Sequence, residues 1–425
     1  MLKIILPSSQ TIPPFNEPAR DLRILNKPLW LYQRDVLTPY TDQELELTEG
    51  EGLPPASQPC FVYRNNLLFD ENFIAAFLTE AKKKDTPSQA AFTIGDAAFR
   101  EHCLPLSVSY TKVDDLYLAD LWYYPQGTRE IAQPLVINSL SREVGYYHIP
   151  TYMAFDQGDL VYQIPQRYCM AIDSWVHIFL ADTVFGLFGR GVRFEQHLKD
   201  DAGFMFKVLA AAVYEGKQVL SCSKVVRVGK NCTIDPHAVI HGPTTIGDNV
   251  TIGAGVVIEN CIIGDNVNIS QGCQLMLSVV GDGTFLPFRA ALFMTTLMDN
   301  CMVAQNTCLQ MSVVGRNSFI GAGSTFTDFN LVSAPLLARD AHGELRPSNR
   351  PVLGACVGHN CRIGAGMVIY PGRTIESDTV LIASKDRRVI DHDVPYEQSD
   401  HMDLPRKGKH QRLYPRQSSK NIQTW

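Results

Sequence analysis

The chain has 425 residues, 45% of them apolar and 19% charged, with a formal net charge of −6. That length predicts two or three domains of ordinary globular composition. The negative balance argues against general nucleic-acid binding, and no run of about 18 apolar residues predicts a membrane span.

Residues 1–168 read as a compact α/β domain. Met1 to Pro7 is too short for the apolar region of a signal peptide, and Leu2 to Leu6 reads as a first strand. Leu29 to Leu37 reads as a helix after Pro28. A second helix runs from Asp70 to Lys84: Phe73, Ile74, Phe77 and Leu78 share a face, and Lys82, Lys83 and Lys84 sit at the negative end, where cations are favoured. Leu104 to Tyr110 and Ala119 to Tyr124 read as strands, and the stretch from Leu135 to Met153 holds one or two more. Residues 169–220 form a helical linker, with Ile172, Val176, Phe179 and Leu180 at helical spacing. Its last helix, from Phe204 to Glu215, stops at Gly216, a C-cap.

From 221 to 393 the chain repeats. Ile246, Ile263, Val280, Leu297 and Val314 recur at a constant spacing of 17, with further apolar positions six and twelve residues after each. A fixed period takes priority over local propensity. Each six residues make a short strand and a turn, and three such sides make one coil of a triangular prism. The inward aliphatics form three ladders, one starting at Ile246, one at Ile252 and one at Ile258. Gly253, Gly255, Gly321 and Gly323 suit turns that need positive φ or close backbone approach. No coil buries its inner face alone, so stability comes from stacking. Residues 331–351 lack the beat and leave the prism as a loop, turning at His342 and Gly343. Residues 394–425 form a basic extended tail. The eleven cysteines are scattered without a Cys-x-x-Cys pair, which argues against structural zinc. Cys261, Cys273, Cys301, Cys308 and Cys361 fall on repeat positions and read as reduced packing residues of a cytoplasmic protein.

These hexapeptides resemble those of left-handed parallel β-helices. The order α/β domain, helical linker, β-helix resembles the bifunctional sugar-1-phosphate nucleotidylyltransferases fused to an amino-sugar acetyltransferase. The closest local likeness runs from Leu353 through His359 to Tyr370, Pro371 and Gly372, and a second runs from Gly321 to Asn330. The resemblance implies a nucleotidyltransferase-like first domain and a homotrimer of side-by-side prisms. It implies acyl-CoA, acetyl-CoA in particular, as co-substrate near Ala365, Ser384 and Lys385. Asn330 falls where the family has an active-site Asn before the same insertion.

The departures are chemical. The family's acetyltransferase base is a His three residues before a Tyr, and here Gln310 and Val313 stand in those places. Gln does not take a proton from an ammonium near neutral pH. His342, in the insertion, and His359, in a turn where Asp is usual, are the remaining candidates for the base; His237 and His241 read as structural. In the first domain Leu6 is followed by Pro7 and two serines, with no glycine before Gly50 to build a phosphate-cradling loop. Asp96, Asp114, Asp115 and Asp120 are carboxylates open to Mg²⁺, and none sits in a recognisable metal motif. Three readings stay open. One is acyl transfer to an amino-sugar-type acceptor, and another is an inactive scaffold that binds a nucleotide sugar, a sugar phosphate or a partner protein. Retained nucleotidyl transfer is the third.

Overall fold

The computed structural model describes residues 1–128, 131–147, 159–330, 335–404 and 410–416. The chain forms two compact units. The first comprises residues 1–12, 17–178 and 337–349, and the second 13–16, 179–336 and 350–425.

The first unit is built on a mixed sheet. Its principal strands are β1 (Leu2–Leu6), β2 (Gln43–Glu46), β3 (Cys60–Arg64), β4 (Ser88–Thr93), β5 (Leu116–Tyr124) and β6 (Gln133–Val136). The spatial order is β6-β4-β5-β3-β1-β2, and only β5 runs antiparallel to its neighbours. Helix α1 spans Leu29–Leu37 and α2 spans Glu71–Lys84. Asp70 caps α2 by accepting the Phe73 N–H, and Phe73, Ile74, Phe77 and Leu78 are buried along one face as their spacing requires. Of the strands expected between 135 and 153, the end of β6 at Leu135 and Val136 and the strand Arg142–Tyr147 form, and residues 148–153 lie outside the described residues.

Leu104 to Tyr110, expected as a strand, is a turn. The reason is Asp173, wholly buried. Its carboxylate accepts the Val108 and Ser109 N–H groups at 2.9 and 3.0 Å and the Ser107 hydroxyl at 2.8 Å. Backbone donors taken by a side chain are lost to a ladder. The insertion is a hairpin of Leu337–Arg339 with Leu345–Pro347, turning at Gly343 with φ +79°. It is part of the first unit, where Ser174 Oγ donates to the Arg339 carbonyl at 2.8 Å.

The second unit holds three parallel sheets of eight strands each, the faces of a hexapeptide-repeat left-handed β-helix. The first sheet runs from Val226–Val228 to Thr374–Ile375, the second from Thr233–Ile234 to Val380–Leu381, and the third from Val239–His241 to Val389–Ile390. The three ladders form in the expected register: Ile246 pairs with Ile263, Ile252 with Ile269, and Ile258 with Leu275. No inward residue from Ile246 to Phe326 on these ladders exceeds 2% exposure. Gly323 has φ +68°, whereas Gly321 is needed for approach, because a Cβ there would lie 2.5 Å from the Ala365 nitrogen.

The sheets differ on their outer sides. Outward residues of the first sheet, Val279, Thr296, Val313 and Cys356, are buried as well. The segment after Phe179 bonds to this side: Thr296 Oγ1 donates to the buried Asp182 at 2.8 Å, and Asn260 Nδ2 donates to the Leu187 carbonyl at 2.9 Å. Arg190 donates to the carbonyls of Pro243 and Cys261, and its burial lowers its pKa to about 10. Helix α3 (Gly189–Asp200) follows, then α4 (Ala202–Glu215). Asp201 caps α4, and Gly216, at φ +64°, ends it. Val208 and Ala212 form its buried side, against Cys222 and Val225.

The far end of the prism is closed by short segments of the same unit. Asn16 Nδ2 donates to Glu376 at 3.0 Å and to the Tyr414 carbonyl at 2.9 Å. Tyr414 N–H donates to Asp378 at 2.6 Å, and Arg416 Nε donates to Glu376 at 2.7 Å. Part of the basic tail is thus a cap, which a solenoid needs over its last coil. Among the described residues no helix is long and apolar enough to cross a membrane.

All eleven cysteines are free thiols, and only Cys232 and Cys308 are partly exposed. Burial pushes the Cys261, Cys301 and Cys361 thiols up to about 12. Thiolate, not thiol, is the nucleophile. Iodoacetamide at pH 8 is therefore expected to add to at most these two positions in the native protein, Cys232 first, and to all eleven in urea. Intact-mass spectrometry reads the adduct count.

Candidate functional site

With the first sheet covered, side chains of the third sheet line a groove of about 360 Å³ on its outer face. Two outward columns build it. One is Val257, Gln274, Ala291 and Cys308; the other is Glu259, Met276, Phe293 and Gln310, one residue per coil in register. The lining is apolar in the middle, with Glu259 near one end and Gln310 at the other. Burial raises the pKa of the Cys308 thiol, which keeps it protonated and a poor nucleophile.

One coil before Glu259, in the same column, stands His241. Its Nδ1 lies 3.4 Å from the Glu259 carboxylate, and its Nε2 lies 3.3 Å from Gln218 Oε1. Both side chains of the pair are partly exposed, at 26% and 39%. A carboxylate facing Nδ1 favours the Nδ1–H tautomer, and Nε2, which meets the Gln218 side chain, takes a proton only when an acceptor displaces that contact. Sequence reasoning took His241 as structural. The 17-residue beat would pair His241 with the inward Ile258; the first coil is one residue longer, and that puts His241 and Glu259 in one outward column.

The other candidate residues fall in separate places. His359 is wholly buried, with ring centroids 4.9 Å from Phe15 and 4.7 Å from Tyr414. Its Nδ1 accepts the Arg316 N–H at 2.9 Å. That bond repeats what aspartates do in other coils, where Asp265 accepts the Asp248 N–H at 2.7 Å and Asp282 accepts the Asp265 N–H at 2.9 Å. His359 is the imidazole version of a turn aspartate, and its proton-accepting nitrogen is occupied.

His342 is an exposed hairpin residue of the first unit, held through its backbone N–H on Asp340 at 2.9 Å. Asn330 is half-buried where the chain leaves the prism, next to the bridge between Phe329 and Val352. Ala365 and Ser384 are exposed on turns of successive coils, both at the corner between the second and third sheets, and Lys385 follows Ser384.

The first unit has a pocket of its own, of about 500 Å³. It lies at the carboxyl ends of β1 and β3, lined by Ser8, Ser9, Gln10, Arg64, Ser109 and Asp120. Open α/β sheets bind ligands at this end of their strands. Arg64 is ion-paired with Asp120 and donates to the Pro7 carbonyl at 2.8 Å. The buried Asp173 fixes the 107–109 turn beside it. Of the other acids considered for Mg²⁺, Asp96 accepts both the N–H and the hydroxyl of Ser139 at 2.6 Å. Among the described residues no cluster of three His, Cys, Asp or Glu side chains is placed to hold a metal.

The bacterial transferase hexapeptide pattern of six repeats matches residues 226–260. No curated protein matches the chain by sequence. Among solved structures the chain is similar to the UDP-N-acetylglucosamine acyltransferase from Campylobacter jejuni, at 14% identity and a TM-score of 0.27. That match covers 38% of this chain and 68% of the other. It is also similar to a hexapeptide transferase family protein from Anaplasma phagocytophilum, at 16% identity and a TM-score of 0.20, covering 38% of this chain and 87% of the other. The pattern agrees with the sheets: the chain carries a hexapeptide-repeat left-handed β-helix.

His359→Ala is expected to cost about 2–4 kcal/mol, because it empties a buried ring site and strands the Arg316 N–H. His359→Asn keeps an acceptor and should recover part of that loss. His342→Ala should leave stability unchanged. Urea unfolding of the three variants checks the ranking; equal stability of His359→Ala and His359→Asn would contradict the turn role.

Proposed function

We propose that the chain is a transferase that moves an acyl group, acetyl in the simplest case, from acyl-CoA to the amine of an amino-sugar-type acceptor. The reaction takes place in the groove on the third sheet. The observation that carries this reading is the His241–Glu259 pair at the mouth of an apolar groove. The acceptor enters as the free amine, and His241 Nε2 takes its proton as it attacks. The amine nitrogen bonds to the thioester carbonyl carbon, the tetrahedral intermediate collapses, and the carbon–sulfur bond breaks. The thiolate of CoA leaves and is protonated by the imidazolium. Glu259 holds the ring and stabilises its charge.

Gln310, four coils and roughly 19 Å along the stack from His241, is then a polar contact for the far part of the acyl-CoA rather than a base. Asn330, at the exit of the next coil, is roughly 24 Å along the stack from His241 and does not touch the same acceptor. Ala365 and Ser384–Lys385 lie two and three coils beyond Cys308 on the same sheet's flank, about 10 and 14 Å along the stack. Lys385 is seven coils from His241, roughly 33 Å along the stack, too far to hold the phosphates of a CoA whose thioester sits at His241. A second prism beside this one turns the open groove into a cleft, so the active form is a homotrimer. The protein acts in the cytoplasm, where acyl-CoA is made.

A second reading has its own observation. The polar first-unit pocket, with Arg64 on its wall, suits a sugar phosphate or nucleotide sugar, bound without chemistry.

Release of free CoA thiol from acetyl-CoA, with amino sugars and their phosphates as acceptors, separates the two. On the first reading His241→Ala lowers kcat by about 10²–10⁴-fold and Glu259→Gln by less, with melting temperatures unchanged and Arg64→Ala active. Wild-type turnover in both groove variants would overturn it. On the second reading no acceptor supports turnover, and UDP-N-acetylglucosamine raises the melting temperature of the wild type but not of Arg64→Ala.

A further inference from the structure

Helices α3 and α4 follow one another in the linker, yet their outer sides differ in kind. On α3 the exposed residues are Glu195, Gln196, His197, Lys199 and Asp200, an ordinary solvated face. On α4 they include Met205 (44% exposed), Phe206 (72%), Leu209 (43%), Val213 (83%) and Tyr214 (93%). The opposite side of α4 is apolar too and packs into the protein through Val208 and Ala212. A helix apolar on both sides is a helix buried on both sides. The five residues expose on the order of 600 Å² of side chain, taking the usual area of large apolar groups. A standard interface takes about 800 Å² from each partner.

We propose that this face pairs with the same face of a second copy of the chain, across a two-fold axis. The pattern is self-complementary. At the four-residue spacing that makes ridges on a helix, the outer side carries two rows, Met205-Leu209-Val213 and Phe206-Ala210-Tyr214. Each row reads large, centre, large, and the second has an alanine at its centre. Two such helices crossing antiparallel at Ala210 set Phe206 of each against Tyr214 of the other, while Ala210 lets the backbones approach. An isologous contact requires this reciprocity.

A membrane surface fits less well. Interfacial helices carry a lysine- and arginine-rich polar face, whereas Lys207 is the one cation within α4 and the chain is net acidic. This contact uses neither the groove nor the prism faces. It therefore doubles whatever assembly the prisms make, and it stands apart from the proposed chemistry.

The test is the mass in solution, by light scattering, of the full chain and of the Phe206→Glu/Val213→Glu variant. Both positions are exposed, so the fold is kept; an unchanged melting temperature checks this. A twofold drop in mass is the expected result. An unchanged mass, or a threefold drop marking a cyclic contact, overturns the proposal. Ala210→Cys gives an independent readout: a short bis-maleimide should join two chains at this position. Gly203→Cys should stay unjoined, since antiparallel pairing holds its two copies about 20 Å apart. Absence of the Ala210→Cys product overturns the two-fold geometry. Flotation of the wild type, but not of the glutamate variant, with phosphatidylglycerol vesicles assigns the face to a membrane instead.

Discussion

The structure depends on the stacking of one aliphatic side chain on its equivalent a coil away. Each coil is two or three residues of strand per side, too short to persist alone. What fixes it is the register Ile246–Ile263–Val280–Leu297–Val314 and its two companions, with backbone hydrogen bonds running from each coil to the next, such as Gly247 N–H to the Ile263 carbonyl at 2.9 Å. The same register places the outward residues. Because one coil returns to the same position, His241, Glu259, Met276, Phe293 and Gln310 stand in one column without any of them being near the next in sequence. The groove is a by-product of the stack.

Covering one face gives the prism a direction. The 179–200 segment bonds to the outer side of the first sheet, whose strands from Val279–Val280 to Thr374–Ile375 are buried on both faces. Doubly buried strands tend to read as unbroken apolar pairs, and Val279-Val280, Val313-Val314 and Cys356-Val357 do, while Thr296 and Thr374 stand outward in the other two, Thr296 bonded to Asp182. The third sheet alternates instead, as in Gln274-Leu275-Met276, where only Leu275 is inward. The sealed face bears the linker, and the open third sheet bears the groove.

The fold was legible in the sequence because its signal is periodic. One phase of six residues fixes three ladders, and a break in the beat marks the insertion down to its turn at Gly343. The α2 helix was legible through a cap and an apolar face. The 104–110 turn was not, since its cause is a single carboxylate more than 60 residues away at Asp173. His359 and His241 show the same limit at the candidate site. Both are histidines in coils, and only three-dimensional neighbours separate them. One is locked between Phe15 and Tyr414 with its acceptor nitrogen filled; the other faces a carboxylate at a groove. The exposed side of α4 was hidden for a different reason, because an apolar helix in sequence looks the same whether the protein or a partner buries it.

The central claim is that the open third sheet is where the ligand binds. Hydrogen–deuterium exchange of the intact protein with and without acetyl-CoA tests it most directly. Slower exchange is expected on adding the ligand at 257–259, 274–276, 291–293 and 308–310, with the first-unit loops at 7–10 and 48–53 unchanged. Protection confined to those first-unit loops, or no protection anywhere, would contradict it.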